Sequence, residues 1–362
     1  MRFLILLGSF LLGFAWRHSD ELHAMVVGTP QETPEERAEI MQIPAVSSAN
    51  ELESRKAFME EVHRAIVDRD FSWLSAREFS LRQGGNRTDD GVWKLELFYN
   101  SMWWLGNMNT PDCTDPAAEF LAEWRIASPS SPAPFIVSAQ RLLDKGWCYR
   151  GSGYAKNVNI SAWKPFSEYV DAAHEMLARH KDVASQDPQY YAVMASIYVA
   201  QGRSEGDFQN LMDEAVAKEP YYYPLYQEAF RYYEPQWFGS YKDEEAVAQF
   251  AADQTQAKER TSAFARVYWH AMSCGCMPPT VVINKKALRR AMHDLVELYP
   301  TAWNVSHMAR LACQIEDGEL ANSYFEALPA GDEGKAGWSD WGGIDVPQWQ
   351  ACRTSAGLPA NA

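Results

Sequence analysis

The sequence predicts an all-α chain of antiparallel helix pairs, stacked as a solenoid or an irregular helical bundle. Apolar residues recur at the 3.6-residue helical period along most of the chain, period-2 alternation is scarce, and the periodic stretches are joined by short connections. The 362 residues, 47% hydrophobic and 22% charged, suffice for one large domain or two modest ones and are too apolar for wholesale disorder. With 33 basic against 48 acidic side chains the net charge is −15, which leaves no basic surface for nucleic acid or anionic lipid.

At the N-terminus, Arg2 precedes an apolar stretch from Phe3 to Trp16, followed by the polar run Arg17 to Glu21. The stretch is shorter than the ~20 residues a spanning helix needs but suits the apolar core of a secretory signal peptide. Residues 1–24 are therefore expected to direct export, with cleavage after Ala15 or Ala24, placing the mature chain in the periplasm or outside the cell. No other stretch is long and apolar enough to cross a membrane. Residues 25–48, with Pro30, Pro34 and Pro44 among polar residues, are expected to form an extended lead-in.

A helical repeat-like domain is expected over 49–330, beginning where Asn50 can cap a helix whose Phe58, Val62, Ala65 and Ile66 share one face. Phe166, Tyr169, Val170, Ala173 and Leu177 form a second such stripe. Further helices are expected at about 92–106, 115–127, 133–146, 188–201, 206–218, 222–233, 243–254, 257–272, 285–298, 302–315 and 318–328. Asp187-Pro188 and Glu219-Pro220 lie 32 residues apart and each opens an aromatic-rich helix start, close to the ~34-residue tetratricopeptide period. Ala309, Ala321 and Phe325 sit at the spacing of that repeat's small contact residues and aromatic knob. A tetratricopeptide-like solenoid is thus the expected architecture, with an irregular C-terminal segment over 331–362.

Export sets the reading of the six cysteines, Cys113, Cys148, Cys274, Cys276, Cys313 and Cys352, an even number suited to an oxidising compartment. All six are disulfide candidates, with Cys113 preferred as the partner of Cys148. His270 followed by Cys274-Gly275-Cys276 lacks the second ligand pair of a zinc site, so no metal is expected. No nucleophile elbow, phosphate loop, dinucleotide fingerprint or paired metal histidines occur, so no cofactor and no catalytic residues are assigned and binding is favoured over catalysis.

Five stretches have a more particular character: Asp70 to Leu74, Asp89 to Leu95, Trp147 to Ala155 (WCYRGSGYA), Pro235 to Ser240 (PQWFGS) and Ala265 to Trp269 (ARVYW). In these the chain resembles the bacterial domain of unknown function 4034 family, over about residues 50–330. The resemblance implies a helical, tetratricopeptide-like domain in a bacterium and brings no activity or catalytic residues with it. Physically, Gly151 and Gly153 suit a helix break and Gly239 the end of another element, with Trp237 wedged beneath the turn. Arg150 and Arg266 either clamp helices internally or grip an acidic ligand from a groove.

Arg150, Tyr154, Trp237, Arg266 and Trp269 are therefore the candidate binding residues, for a protein or peptide partner in the cell envelope. The aromatic load, 14 Trp, 17 Tyr and 16 Phe with a Trp103-Trp104 pair, supports a second expectation: an all-helical protein that binds or cleaves cell-wall glycan.

Overall fold

A computed structural model describes residues 32–47, 50–83, 86–108, 110, 112–331, 333–340 and 343–359. The expected signal segment, both cleavage sites and the first part of the lead-in lie outside the described residues. The fold is all-α with stacked helix pairs; the two strands described, Ser339–Asp340 and Gly343–Ile344, are two residues each.

Two stretches expected to lack regular structure contain helices. Within 25–48, Pro34–Ile40 (α1) is helical because Thr33 accepts the Glu36 N–H at 3.1 Å while the Glu36 carboxylate accepts the Thr33 N–H at 2.8 Å, with Pro34 opening the helix. Its acidic side chains then pair with Lys286 (3.1 Å from Glu36) and Arg290 (2.8 Å from Glu39). Within 331–362, Val346–Ser355 is helical, capped by Asp345, which accepts the Gln348 N–H at 2.9 Å.

Helix α2 (Glu51–Val67) starts at the expected Asn50 cap and buries the expected Phe58, Val62, Ala65 and Ile66. Helix α3 (Phe71–Arg82) has no counterpart among the expected elements. Its inward positions are Leu74, Glu78 and Leu81, so a buried carboxylate, paired with Arg82 at 2.6 Å, interrupts the apolar stripe that would have announced it. Helix α4 (Lys94–Asn100) continues as the 3-10 turn Ser101–Leu105.

The stack follows as α5 (Ala118–Ala127), α6 (Ala133–Arg150), α7 (Trp163–Arg179), the single turn α8 (Lys181–Ala184), α9 (Gln189–Gln201), α10 (Glu205–Lys218), α11 (Pro224–Tyr232), α12 (Tyr241–Glu259), α13 (Ser262–Cys274), α14 (Lys285–Leu298), α15 (Ala302–Gln314), α16 (Gly318–Ala327) and α17 (Val346–Ser355). Helices α9, α11, α13 and α15 touch in succession, and α10, α12, α14 and α16 each pack on the helix before them. The break expected between 254 and 257 falls instead at Arg260, with φ +49°. Exposed polar residues there look like a loop in sequence, yet pairs such as Gln249 and Asp253, bonded at 2.8 Å one turn apart, sustain the helix.

The 86–93 loop packs against the α11–α13–α15 layer. Arg266 donates to the Asp90 carbonyl at 2.7 Å, and Asn304 Nδ2 donates to the same oxygen at 3.0 Å. The Asp90 carboxylate, wholly buried, accepts from Arg55 at 2.6 Å and from Thr88. Burial raises the Asp90 carboxyl, but Arg55 and Arg266 more than reverse this, so it stays below the usual carboxylate range. Gly91 has φ +86°, and a Cβ there would lie 2.6 Å from the Tyr299 ring and 2.7 Å from the Arg266 guanidinium.

All six cysteines pair: Cys113 with Cys148, Cys274 with Cys276, and Cys313 with Cys352. The first ties the segment after the Trp103-Trp104 turn to α6, and the last ties α17 to the end of α15.

Candidate binding groove

One long face of α6 and the turn opposite it frame an open cleft of about 650 Å³. Trp103 and Trp104 form one side, their rings stacked with centroids 4.0 Å apart, and Trp104 also stacks on His63 at 3.9 Å with planes 8° apart. Both remain accessible, at 47% and 36% exposure, although large aromatic rings usually gain most by burial. Asp144 and Arg141 line the other side. Arg141 is committed to the scaffold: it donates to the Gly106 carbonyl at 2.7 Å and to Asp115 at 3.1 Å.

The cleft is linked through Gln140 to a smaller recess of about 150 Å³. Gln140 lines the recess and donates to Asp144 at 2.8 Å. The recess is built of Glu96 on α4, Gln189 and Ser196 on α9, and Gln227 and Glu228 on α11. The lining is mostly amide, hydroxyl and carboxyl, with Ala192, Val193 and Pro224 among them.

The acids of this groove are driven toward their neutral forms. Burial pushes Glu96 up to about 7, against the pull of Arg55 and Arg266. Glu228 is raised by burial, partly offset by Arg231 at 3.7 Å and by the Ser196 hydroxyl, which donates at 2.6 Å. Asp144 is raised by burial, partly offset by its Gln140 hydrogen bond. Amides and hydroxyls donate and accept, and the carboxyls accept, so the surface can match hydroxyl or amide groups of a ligand.

The expected binding residues fall into four places. Arg150 and Trp237 meet through Trp147: Arg150 lies over the Trp147 ring at 5.0 Å, and Trp237 meets that ring edge-on at 5.9 Å. Arg231 sits between Trp147 and Trp237, at 5.8 and 5.9 Å, and reaches back to Glu228, which joins this aromatic cluster to the recess. Arg150 also donates to the carbonyls of Gly151 and Gly153, at 3.0 and 3.1 Å, so it holds the loop it begins. Gly239 is required for a different reason from the conformational freedom expected of it: a Cβ there would lie 2.3 Å from the Tyr233 carbonyl oxygen.

Tyr154 stands apart on the 151–160 loop at 70% exposure. Arg266 is buried between the Tyr223 and Tyr299 rings, 4.7 and 5.4 Å away, with its guanidinium bonded to Asp90. It is an internal clamp. Trp269, half-buried, packs on His307 at 4.1 Å rather than lining the cleft.

Gln140, Asp144, Glu96 and Glu228 were invisible as site residues in sequence. The one available signal was a polar pair at i and i+4, Gln140 and Asp144, on a helix otherwise rich in buried positions. Among the described residues no group of three or more His, Cys, Asp or Glu side chains is placed to hold a metal, and no helix is long and apolar enough to cross a membrane. Comparison with family models, curated proteins and solved structures returns no match for this chain.

Proposed function

We propose that the protein is exported and binds an oligosaccharide chain, cell-wall glycan above all, in the groove between the Trp103-Trp104 turn and α6. One observation carries the reading: an exposed, stacked tryptophan pair flanks a cleft whose Asp144 is hydrogen-bonded by Gln140 of a recess lined by amides and carboxyls. Sugar rings offer apolar C–H faces that stack on indoles, and hydroxyls that both donate and accept. Export rests on the N-terminal sequence and is supported by three cysteine pairs, which persist in oxidising compartments. Membership of the 4034 family is likewise a proposal; two of the stretches behind it, Asp89 to Leu95 and Ala265 to Trp269, meet at the Asp90–Arg266 contact.

The test is tryptophan fluorescence and calorimetric titration of the mature chain with soluble peptidoglycan fragments, with release of reducing sugar followed in parallel. Saturable binding lost in Trp103→Ala/Trp104→Ala supports the reading. No binding, or binding indifferent to both tryptophans, refutes it.

A second reading, a protein partner in the envelope, draws on the 151–160 loop, where Tyr154 is 70% and Ile160 88% exposed. In-cell cross-linking that enriches one envelope protein, lost on Tyr154→Ala/Ile160→Ser, would favour it.

A further inference from the structure

The third cysteine pair differs in kind from the other two. Cys113–Cys148 and Cys313–Cys352 span 35 and 39 residues and join separate elements, whereas Cys274 and Cys276 are two residues apart. Cross-link stabilisation grows with the length of chain closed, so a ring of three residues constrains the unfolded state least of the three. Accessibility runs the other way. Cys113 and Cys352 are buried at 3% and 7% exposure, while Cys274 is exposed at the end of α13 and Cys276 half-buried. Gly275, in the left-handed conformation at φ +71°, has open space where a side chain would stand, so one flank of the ring is bare to solvent.

The backbone is held independently of the sulfurs. The Cys276 N–H donates to the Ala271 carbonyl at 2.9 Å and the Gly275 N–H to Met272 at 3.3 Å, closing the helix end. Opening the disulfide therefore leaves the two sulfurs side by side. The Cys274 sulfur also lies 3.3 Å from the Ala271 carbonyl oxygen, an acceptor ready for the thiol that reduction creates.

We propose that Cys274–Cys276 is a thiol–disulfide exchange site that passes its disulfide to a pair of external thiols. An incoming thiolate attacks the exposed Cys274 Sγ, and the electron pair of the S–S bond leaves on Cys276 Sγ, which takes up a proton. A second thiolate attacks the substrate sulfur of this mixed disulfide, forming the substrate disulfide and expelling the Cys274 thiolate, which is protonated in turn. Two electrons and two protons pass from the substrate dithiol to the pair, and a disulfide such as oxidised glutathione restores it by the reverse steps. This activity is independent of the groove, and its failure would leave the glycan reading untouched.

The experiment equilibrates the intact oxidised chain in glutathione buffers of increasing reducing strength, followed by acid quench, alkylation and peptide mass spectrometry. Cys274 and Cys276 are expected to become alkylated at a glutathione ratio at least tenfold less reducing than either other pair requires. Oxidation of a reduced, unfolded polypeptide and of a small dithiol is then timed with wild type and with C274S/C276S. Loss of the rate in the variant supports the site, and the faster of the two substrates identifies the source of the thiols. Reduction of all three pairs together, reduction of this pair last, or equal rates in the variant would overturn the proposal.

Discussion

Replacing Asp90 by Asn keeps the shape of the buried 86–93 loop and removes one charge. The wild-type carboxylate is wholly buried and holds Arg55 at 2.6 Å, so the variant leaves Arg55 with Glu51 alone, at 3.0 Å. Breaking a buried pair costs about 3–5 kcal/mol, and the retained Glu51 contact puts this case at the low end, about 3 kcal/mol. That corresponds to a fall of roughly 6 °C in Tm for a chain of this size, at about 2 °C per kcal/mol. Asp90 is held below its ordinary range, so its contribution is fully present above the unfolded value near ~3.9 and is lost as pH falls through the lower folded value. The gap between wild type and D90N should therefore close below about pH 4 and, because the Asp90 charge also helps hold the Glu51 carboxyl up at about 7, narrow as pH rises toward that value. Urea unfolding and calorimetry with disulfides intact measure both features. A loss under about 1 kcal/mol, the worth of an exposed pair, or a gap that does not close in acid, would refute the assignment of Asp90 as the ionised centre of this junction.

Three further outcomes are expected. Gly91→Ala, forced into positive φ and against the Tyr299 ring and Arg266, should destabilise the fold by about 3 kcal/mol, measured by the same unfolding curves. The Glu96 carboxyl, raised to about 7 by burial, makes stability fall as pH rises from its unfolded value near ~4.3 to about 7; Glu96→Gln should remove that slope and stabilise the chain at pH 8 by on the order of 2 kcal/mol. Cys113→Ser/Cys148→Ser, opening a closure of 35 residues, should cost about 3–4 kcal/mol in thermal unfolding and loosen the Trp103-Trp104 turn, seen as weaker glycan binding.

What sequence could reveal divides along physical lines. Helices with an uninterrupted apolar stripe were legible almost to the residue: 285–298 was expected and Lys285–Leu298 forms. Helix α3 was not, because Glu78 occupies an inward position that its pairing with Arg82 at 2.6 Å and the Ser131 hydroxyl at 3.4 Å make tolerable. Helix α1 carried a readable Thr-Pro-Glu-Glu start, outweighed by the prolines around it. Among the candidate site residues, Arg150 and Trp237 belong to aromatic and arginine clusters visible in one dimension, and the fold brings them together on Trp147. The recess was not, since Glu96, Gln140 and Glu228 come from three helices and each alone resembles a solvated polar residue.

The same junction decides which surface is left for a ligand. In a stack of helix pairs a peptide partner would be expected along the layer of α11, α13 and α15, and Arg266 was a natural hand to hold it. The chain itself takes that place. Asp90 occupies Arg266 and Asn304, the Trp93 ring meets Tyr222 edge-on at 5.7 Å, and Gly91 fits where no side chain could. A ligand at this junction would have to displace the buried, charge-paired Asp90 and its neighbours Gly91 to Trp93, at the several kcal/mol that the D90N variant measures. The cleft at Trp103 and Trp104 demands no such displacement, because its aromatic rings are already exposed. The proposed recognition surface is thus the seam between the N-terminal helices and α6 rather than the α11–α13–α15 layer, and variants of the two surfaces should separate cleanly: D90N in stability, the tryptophan pair in binding.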